Sequence, residues 1–180
     1  MKKLFLLCLI LVSCTAFSKR INYVPTSYDY VDEVKCLAQN IYFEARDQTT
    51  KGQIAVALVT INRVESRQFP NSICKVIHQA SRYSNGKLKR NLCHFSWYCD
   101  GKSDVPRDRI AWKVSKTIAR AMLGKPGVHI KHFGQKWNMK DFLNGAKYYH
   151  RIDVNPYWSN KMIKVMQIGD HVFWKDYLHE

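Results

Sequence analysis

Val34, Leu37, Ala38, Ile41 and Ala45 recur three and four positions apart, the spacing that lines one face of an α-helix. They predict a helix over roughly 32–46, with Asp32 as its N-cap. A second helix is expected from Thr50. There "TKGQ" has the Thr-x-x-Gln form of a capping box, with Gln53 at the third helical position. The run "IAVALVTIN" that follows is apolar on nearly every side, so this helix should form the buried centre of the domain. Residues 65–108 break the rhythm with Pro70, Asn85-Gly86, Asp100-Gly101 and Pro106, and predict loops with short elements. A further helix over 109–123 turns Ala111, Val114, Ile118, Ala121 and Met122 inward and Lys113, Lys116 and Arg120 outward, and "GKPG" (Gly124–Gly127) stops it. From Ala146 onward, "YYH" and "HVFW" predict short strands joined around Pro156 and Gly169. The pattern describes one α+β domain, helix-dominated, with a small antiparallel sheet and no internal repeat.

The first apolar run is of another kind. "MKKLFLLCLILVSCTAFS" has a Lys-Lys start, an apolar stretch from Leu4 to Val12 and small residues near Ala16 and Ser18. That is the form of a secretory signal, too short for a membrane span. Cleavage after Ser18 gives a soluble exported protein. "LVSC" (Leu11–Cys14) also fits a lipoprotein signal, which leaves a lipidated Cys14 as a membrane attachment. Both readings stand, with retention as an uncleaved anchor behind them. Residues 1–18 are thus a signal peptide, 19–31, polar and aromatic with Pro25, a linker or arm, and 32–180 the single folded domain. The protein is placed in the periplasm or cell envelope, soluble or lipid-anchored.

Charge and cysteines agree with export. Residues 1–18 hold Lys2, Lys3 and no acid, so their removal lowers the formal charge from +15 to +13. Such a surplus points to an anionic partner such as a membrane surface or an acidic polymer, or to solubility alone. The basic residues are scattered and no nucleic-acid motif accompanies them, so nucleic acid is not expected as a partner. Cys36, Cys74, Cys93 and Cys99 remain, an even number that suits two disulfides in any of three connectivities. None forms C-x-x-C. "HIKH" (His129, His132) has metal-binding spacing but no acid or cysteine to complete a site, so a basic loop is expected there.

Candidate chemistry centres on "NIYFEARDQTT", residues 40–50. At 100° per residue, Glu44 lies about 20° around the helix from Leu37 and about 60° from Ile41, at the edge of the buried stripe. Its i±3 and i±4 neighbours are Asn40, Ile41, Asp47 and Gln48, none of them basic. A carboxyl in half-apolar surroundings has its pKa raised, which suits a general acid near neutral pH. No second acid stands in a comparable position: Asp47, Asp104, Asp108, Asp141, Asp153 and Asp170 fall mostly in polar loops. Most glycosidases pair two carboxylates. A lytic transglycosylase works with one, because the sugar's own C6 hydroxyl is the nucleophile.

Five stretches in order, "CLAQNIYFEARDQTTKGQIAVALVTINRV", "ICKVI", "HFSWYCDG", "AKYYH" and "IGDHVFW", resemble the SleB-type cell-wall hydrolase family over about residues 34–174. The resemblance implies a lysozyme-like catalytic domain that cleaves between N-acetylmuramic acid and N-acetylglucosamine, with peptidoglycan glycan strands as partner, no metal or organic cofactor, and action as a monomer. The family's catalytic acid maps onto Glu44. Its other motifs map onto Gln53, Asn62, Arg63, Ser96, Trp97, Tyr149, His150, His171 and Phe173. Of these, Gln53, Asn62, Ser96, Trp97, Tyr149, His150 and Phe173 are the expected substrate-binding residues. Trp97, Tyr149 and Phe173 are read as core or as sugar-stacking aromatics, with about half of the auxiliary residues expected to line a cleft; His171 is read as structural. The family commonly continues "EARGE" and ends "GNHVFY". This chain has Asp47 and Gln48 in the first motif, and Asp170 and Trp174 in the last. A competing reading is an inactive peptidoglycan-binding or lysis-accessory protein that keeps the fold.

Overall fold

The computed structural model describes residues 27–124, 130–132, 135–137 and 141–177. The signal segment with Cys14, most of the 19–31 arm and His129 lie outside these residues, as does the side chain of His132.

Helix α1 runs Ser27–Ala45 and α2 runs Thr50–Glu65. The start of α1 lies upstream of the expected Asp32 cap, and residues 27–31 are helix instead of arm. No Gly or Pro interrupts residues 26–51, so a helix nucleated on the apolar stripe extends back at little cost. The cap of α2 also shifts by one residue. Thr49 accepts from the Gly52 backbone N–H at 3.3 Å, and Gln53 is no capping-box partner. Its amide Nε2 instead donates to the carbonyls of Arg46 (3.5 Å) and Gln48 (3.3 Å), closing the α1–α2 turn.

As its composition predicts, α2 is the centre: Gly52 through Thr60 are buried without a break. Around it pack α1, the short α3 (Ile73–Ile77) and α4 (Arg109–Leu123). Asp108 caps α4 through Ile110 N and Ala111 N, and Gly124 ends it, where the sequence places its stop. The fully buried line on α4 is Ser115, Ile118 and Ala119, with Ala111, Val114, Ala121 and Met122 at its flanks. Two small residues at the seam let α4 lie close against α1.

Between α3 and α4 come the antiparallel pair β1 (Ala80–Arg82) and β2 (Leu88–Cys93) and a 3₁₀ turn at Ser96–Cys99. Strands β3 (Ile130–His132) and β4 (Gln135–Trp137) form a second antiparallel pair. The last sheet holds β5 (Tyr148–Arg151), β6 (Ile163–Ile168) and β7 (His171–Lys175) in the order β5-β7-β6, all antiparallel. In it Tyr149 stands opposite Phe173, and Arg151 opposite His171. Among the described residues, no helix is long and apolar enough to cross a membrane.

Of the three open cysteine connectivities, the structure has Cys36–Cys74 and Cys93–Cys99. The first staples α1 to α3, and the second closes the loop that carries Phe95 and Trp97. Loop-closure entropy assigns about 4 kcal/mol to the 38-residue separation of the first and about 2 kcal/mol to the 6-residue separation of the second. Urea denaturation of C36S/C74S should therefore show roughly twice the stability loss of C93S/C99S. Equal losses would mean that the α1–α3 staple does not restrict the unfolded chain as its span requires.

Candidate active site

The last turn of α1, the 93–104 segment, β5 and the start of β7 enclose a cleft of about 620 Å³. Glu44 lines it, one residue before the end of α1. Tyr149 of β5 donates its hydroxyl to Glu44 Oε2 at 3.0 Å. Burial raises the Glu44 carboxyl above its ordinary 4.5, while the Tyr149 hydrogen bond and the positive charge of Arg63 pull it partly back. Burial, and then the charge of Glu44, hold the Tyr149 phenol well above 10, so it stays a donor.

The cation that sequence neighbours could not supply comes from α2. Arg63 is 7% exposed, lines the cleft, and donates Nε to the Lys147 carbonyl at 2.7 Å. Its guanidinium lies over Phe95 at 4.9 Å, Phe69 at 5.3 Å and Tyr148 at 5.8 Å. Burial lowers its pKa, with Tyr149, Tyr148 and Glu44 opposing, and it remains a cation.

Trp97 is fixed from behind. Its indole N–H donates to Asn40 Oδ1 at 2.9 Å, Asn40 Nδ2 donates to the Thr60 hydroxyl at 3.1 Å, and that hydroxyl donates to the Val56 carbonyl. Phe43 stacks on the Trp97 ring with centroids 4.8 Å apart. Along with Glu44 and Trp97, the cleft is lined by Ser96, Tyr149 and His150 of the expected site residues. Gln53, Asn62 and Phe173 are not among its lining. Gln53 serves the α1–α2 turn. Asn62 donates to Asp141 and to the Ala146 carbonyl, tying α2 to the turn before β5. Phe173 is fully buried behind Tyr149, with ring centroids 5.7 Å apart.

Residues beyond the expected substrate-binding set complete the lining. Arg63 carried a signal, a cation inside an otherwise apolar helix, since buried arginines are rare unless paired. His171 lines the cleft and packs edge-on against Tyr149 at 5.1 Å. Asp47, Asp100 and Asp104 also border the cleft, so acids that read as loop residues come near the site. The Asp104 carboxyl is raised by burial and by the charge of Asp100. Arg63 Nη1, His150 Nε2 and His171 Nδ1 are buried with no partner among the described residues. Polar atoms left so along a cleft are available to a polar ligand. Among the described residues no three of His, Cys, Asp and Glu are grouped to hold a metal. A second hollow of about 630 Å³, between α3 and the β1–β2 pair, has no carboxylate in its lining.

Fold and site together define a lysozyme-like α+β protein whose cleft carries a glutamic acid at a helix end. The sequence pattern of the cell wall hydrolase family matches residues 47–174, starting just past Glu44. The chain belongs to the cell wall hydrolase family. It is 36% identical over 156 residues to the spore cortex-lytic enzyme of Oceanobacillus iheyensis, covering 84% of this chain and 44% of that protein. It is 30% identical over 153 residues to that of Halalkalibacterium halodurans, covering 83% of this chain and 36% of the relative. The chain thus spans less than half the length of these relatives. Among solved structures, the catalytic domain of the germination-specific lytic transglycosylase SleB from Bacillus anthracis superposes with a TM-score of 0.56 at 25% identity, covering 84% of this chain and all of that one.

The electrostatics of the cleft lead to two measurable effects. A carboxyl whose folded pKa is raised stabilises the fold only while protonated; that contribution is present below 4.5 and is lost as pH rises through the folded value. Glu44→Gln should therefore be more stable than wild type near neutral pH, with the difference vanishing below 4.5, as followed by urea denaturation at both pH values. Tyr149→Phe removes a bond that favours the carboxylate, so the Glu44 midpoint in a carbon-13 NMR titration should move up; a downward move would contradict the assigned bond.

Proposed function

We propose that this chain is an exported enzyme that cleaves the bond between N-acetylmuramic acid and N-acetylglucosamine in peptidoglycan, as a lytic transglycosylase with Glu44 as its acid and base. The observation that carries this reading is the Glu44 carboxyl itself, in the cleft, raised by burial and backed by Tyr149 and Arg63. The likeness to a named lytic transglycosylase domain supports it.

The chemistry needs no water. Protonated Glu44 gives its proton to the glycosidic oxygen as the bond to C1 breaks. The carboxylate left behind is held by the Tyr149 hydroxyl and the field of Arg63, both of which favour the charged form. The C6 hydroxyl of the same sugar then attacks C1, its proton passes to Glu44, and a 1,6-anhydro ring closes. Because the nucleophile is intramolecular, its effective concentration is high and no second carboxylate is required. Ser96, Trp97, Tyr149 and His150 are the proposed sugar contacts, joined by Arg63 and His171 through their unpartnered nitrogens. Gln53, Asn62 and Phe173 support the cleft from behind.

The protein acts as a monomer in the periplasm or cell envelope, released after residue 18 or lipidated on Cys14. Its positive charge favours the anionic wall or membrane surface. Ordinary hydrolysis is the second reading, favoured by the raised Asp104 carboxyl bordering the cleft as a candidate base for water.

Mass spectrometry of muropeptides from digested peptidoglycan separates the two. Anhydro ends are expected, and hydrated reducing ends would sink the transglycosylase mechanism. Glu44→Gln should lose about 10²- to 10⁴-fold in a turbidity assay, the usual contribution of a positioned acid. Equal clearing by variant and wild type would remove Glu44 from the chemistry.

A further inference from the structure

Four residues beyond Glu44, Gln48 uses both ends of its side-chain amide on one residue far away in the chain. Its Nε2 donates to Asp170 Oδ2 at 3.1 Å, and its Oε1 accepts the Asp170 backbone N–H at 3.1 Å. The contact is closed on both sides. Gly169, at φ +54°, lies against Gln48 Oε1 where any Cβ would overlap it. The backbone of Gln48 is fixed in turn by Gln48 N to the Ala45 carbonyl at 3.0 Å and by Gln53 Nε2 to the Gln48 carbonyl.

Gly169-Asp170 is the turn between β6 and β7. The next residue, His171, opens β7, is 2% exposed and packs edge-on against Tyr149, whose hydroxyl reaches Glu44. These contacts form a ring from Glu44 through the end of α1 to Gln48, across to Asp170 and His171, and back through Tyr149. The donor and acceptor of the Tyr149–Glu44 bond sit on different elements, β5 and α1, so its length depends on what holds sheet and helix end together.

We propose that Gln48 and Asp170 are positioning residues, a two-bond clamp that holds the β5–β7 sheet so that the Tyr149 hydroxyl meets the Glu44 carboxyl. The catalytic consequence rests on the proposed role of Glu44. The geometric claim does not.

The clamp has a specific signature, because an amide facing a carboxylate can be inverted. The double substitution Q48E/D170N exchanges the two groups and keeps the same donors, acceptors and charge across the contact. Q48E alone sets two carboxylates against each other. D170N alone still offers a carbonyl oxygen to Gln48 Nε2, so it should be mild. Asp170 also lies 3.9 Å from Arg151, a half-exposed pair of small worth. The titratable groups acting on Glu44, Tyr149 from β5 and Arg63 from α2, stay the same in every variant. Those acting on His171, next to the clamp, are Arg151, Asp47, Asp170 and His150.

The test compares wild type, Q48E, D170N and Q48E/D170N by carbon-13 NMR titration of the Glu44 carboxyl and by turnover of purified peptidoglycan. Q48E should raise the Glu44 midpoint and lower kcat by about 10- to 100-fold with little change in KM, the scale of a small misplacement of a catalytic group. Q48E/D170N should return both to wild-type values, giving strong coupling between the two positions. A Q48E effect of the same size in both backgrounds, or a Q48E protein with unchanged Glu44 titration and kcat, would overturn the clamp. If the wild-type protein turns over no peptidoglycan, the functional reading has failed, and the titration arm alone decides the clamp.

Discussion

Everything in the cleft depends on keeping one carboxyl out of water without giving up its ability to ionise. Burial alone traps such a group in its neutral form, and a strong ion pair alone holds it as a carboxylate. Glu44 lies between these limits because its helper groups are themselves constrained. The Tyr149 phenol is held far from ionisation, so its O–H stays available to donate to Glu44. Arg63 is committed through Nε to the Lys147 carbonyl and enclosed by Phe69, Phe95 and Tyr148, so it acts as a nearby field with no bond to Glu44 among those described. The result is a raised acid whose conjugate base is still stabilised, as an acid–base group must be.

The rest of the fold serves that balance. A helix as apolar as α2 belongs in the middle of the domain, and its one buried cation is carried inward with it to the cleft. The polar groups behind Trp97 are satisfied in series, indole to Asn40 to Thr60 to a helix carbonyl, so the ring is oriented by bonds that cannot be exchanged for water. The Cys93–Cys99 bridge closes the same segment, and Asp100 and Asp104 border the cleft just after it.

How much of this was legible in the chain depends on how local each signal is. The buried centre at α2, the limits of α4 and the strands around Tyr149 and Phe173 follow from periodicity within a few residues, and those readings agree with the structure. The helix starts were less legible. Thr49 and Thr50 are both capable caps, and only the three-dimensional turn puts the Thr49 hydroxyl in reach of the Gly52 N–H. Asp32 had the composition of a cap but no helix breaker ahead of it. At the site, Glu44 was legible because its apolar neighbours are adjacent in sequence. Its cation was not, because Arg63 arrives from another helix, and reach along α1 says nothing about that. The aspartates of the 100–104 segment looked like polar loop residues, since no local pattern records that the loop folds back over a cleft.

The departures at Gln48 and Asp170 show how far a single position can mislead. Taken alone, Gln48 in place of an acid reads as the loss of a catalytic carboxylate, and Asp170 in place of Asn as a minor change in a turn. In the fold they are the two ends of one hydrogen-bonded pair, 122 residues apart. An amide here faces an acid, the Gln48 Nε2 donating to Asp170 Oδ2 and the Gln48 Oε1 accepting the Asp170 backbone N–H. Gln48 has no proton to transfer, and both ends of its amide are committed to Asp170. The side chain at position 48 is therefore a tie between helix end and sheet.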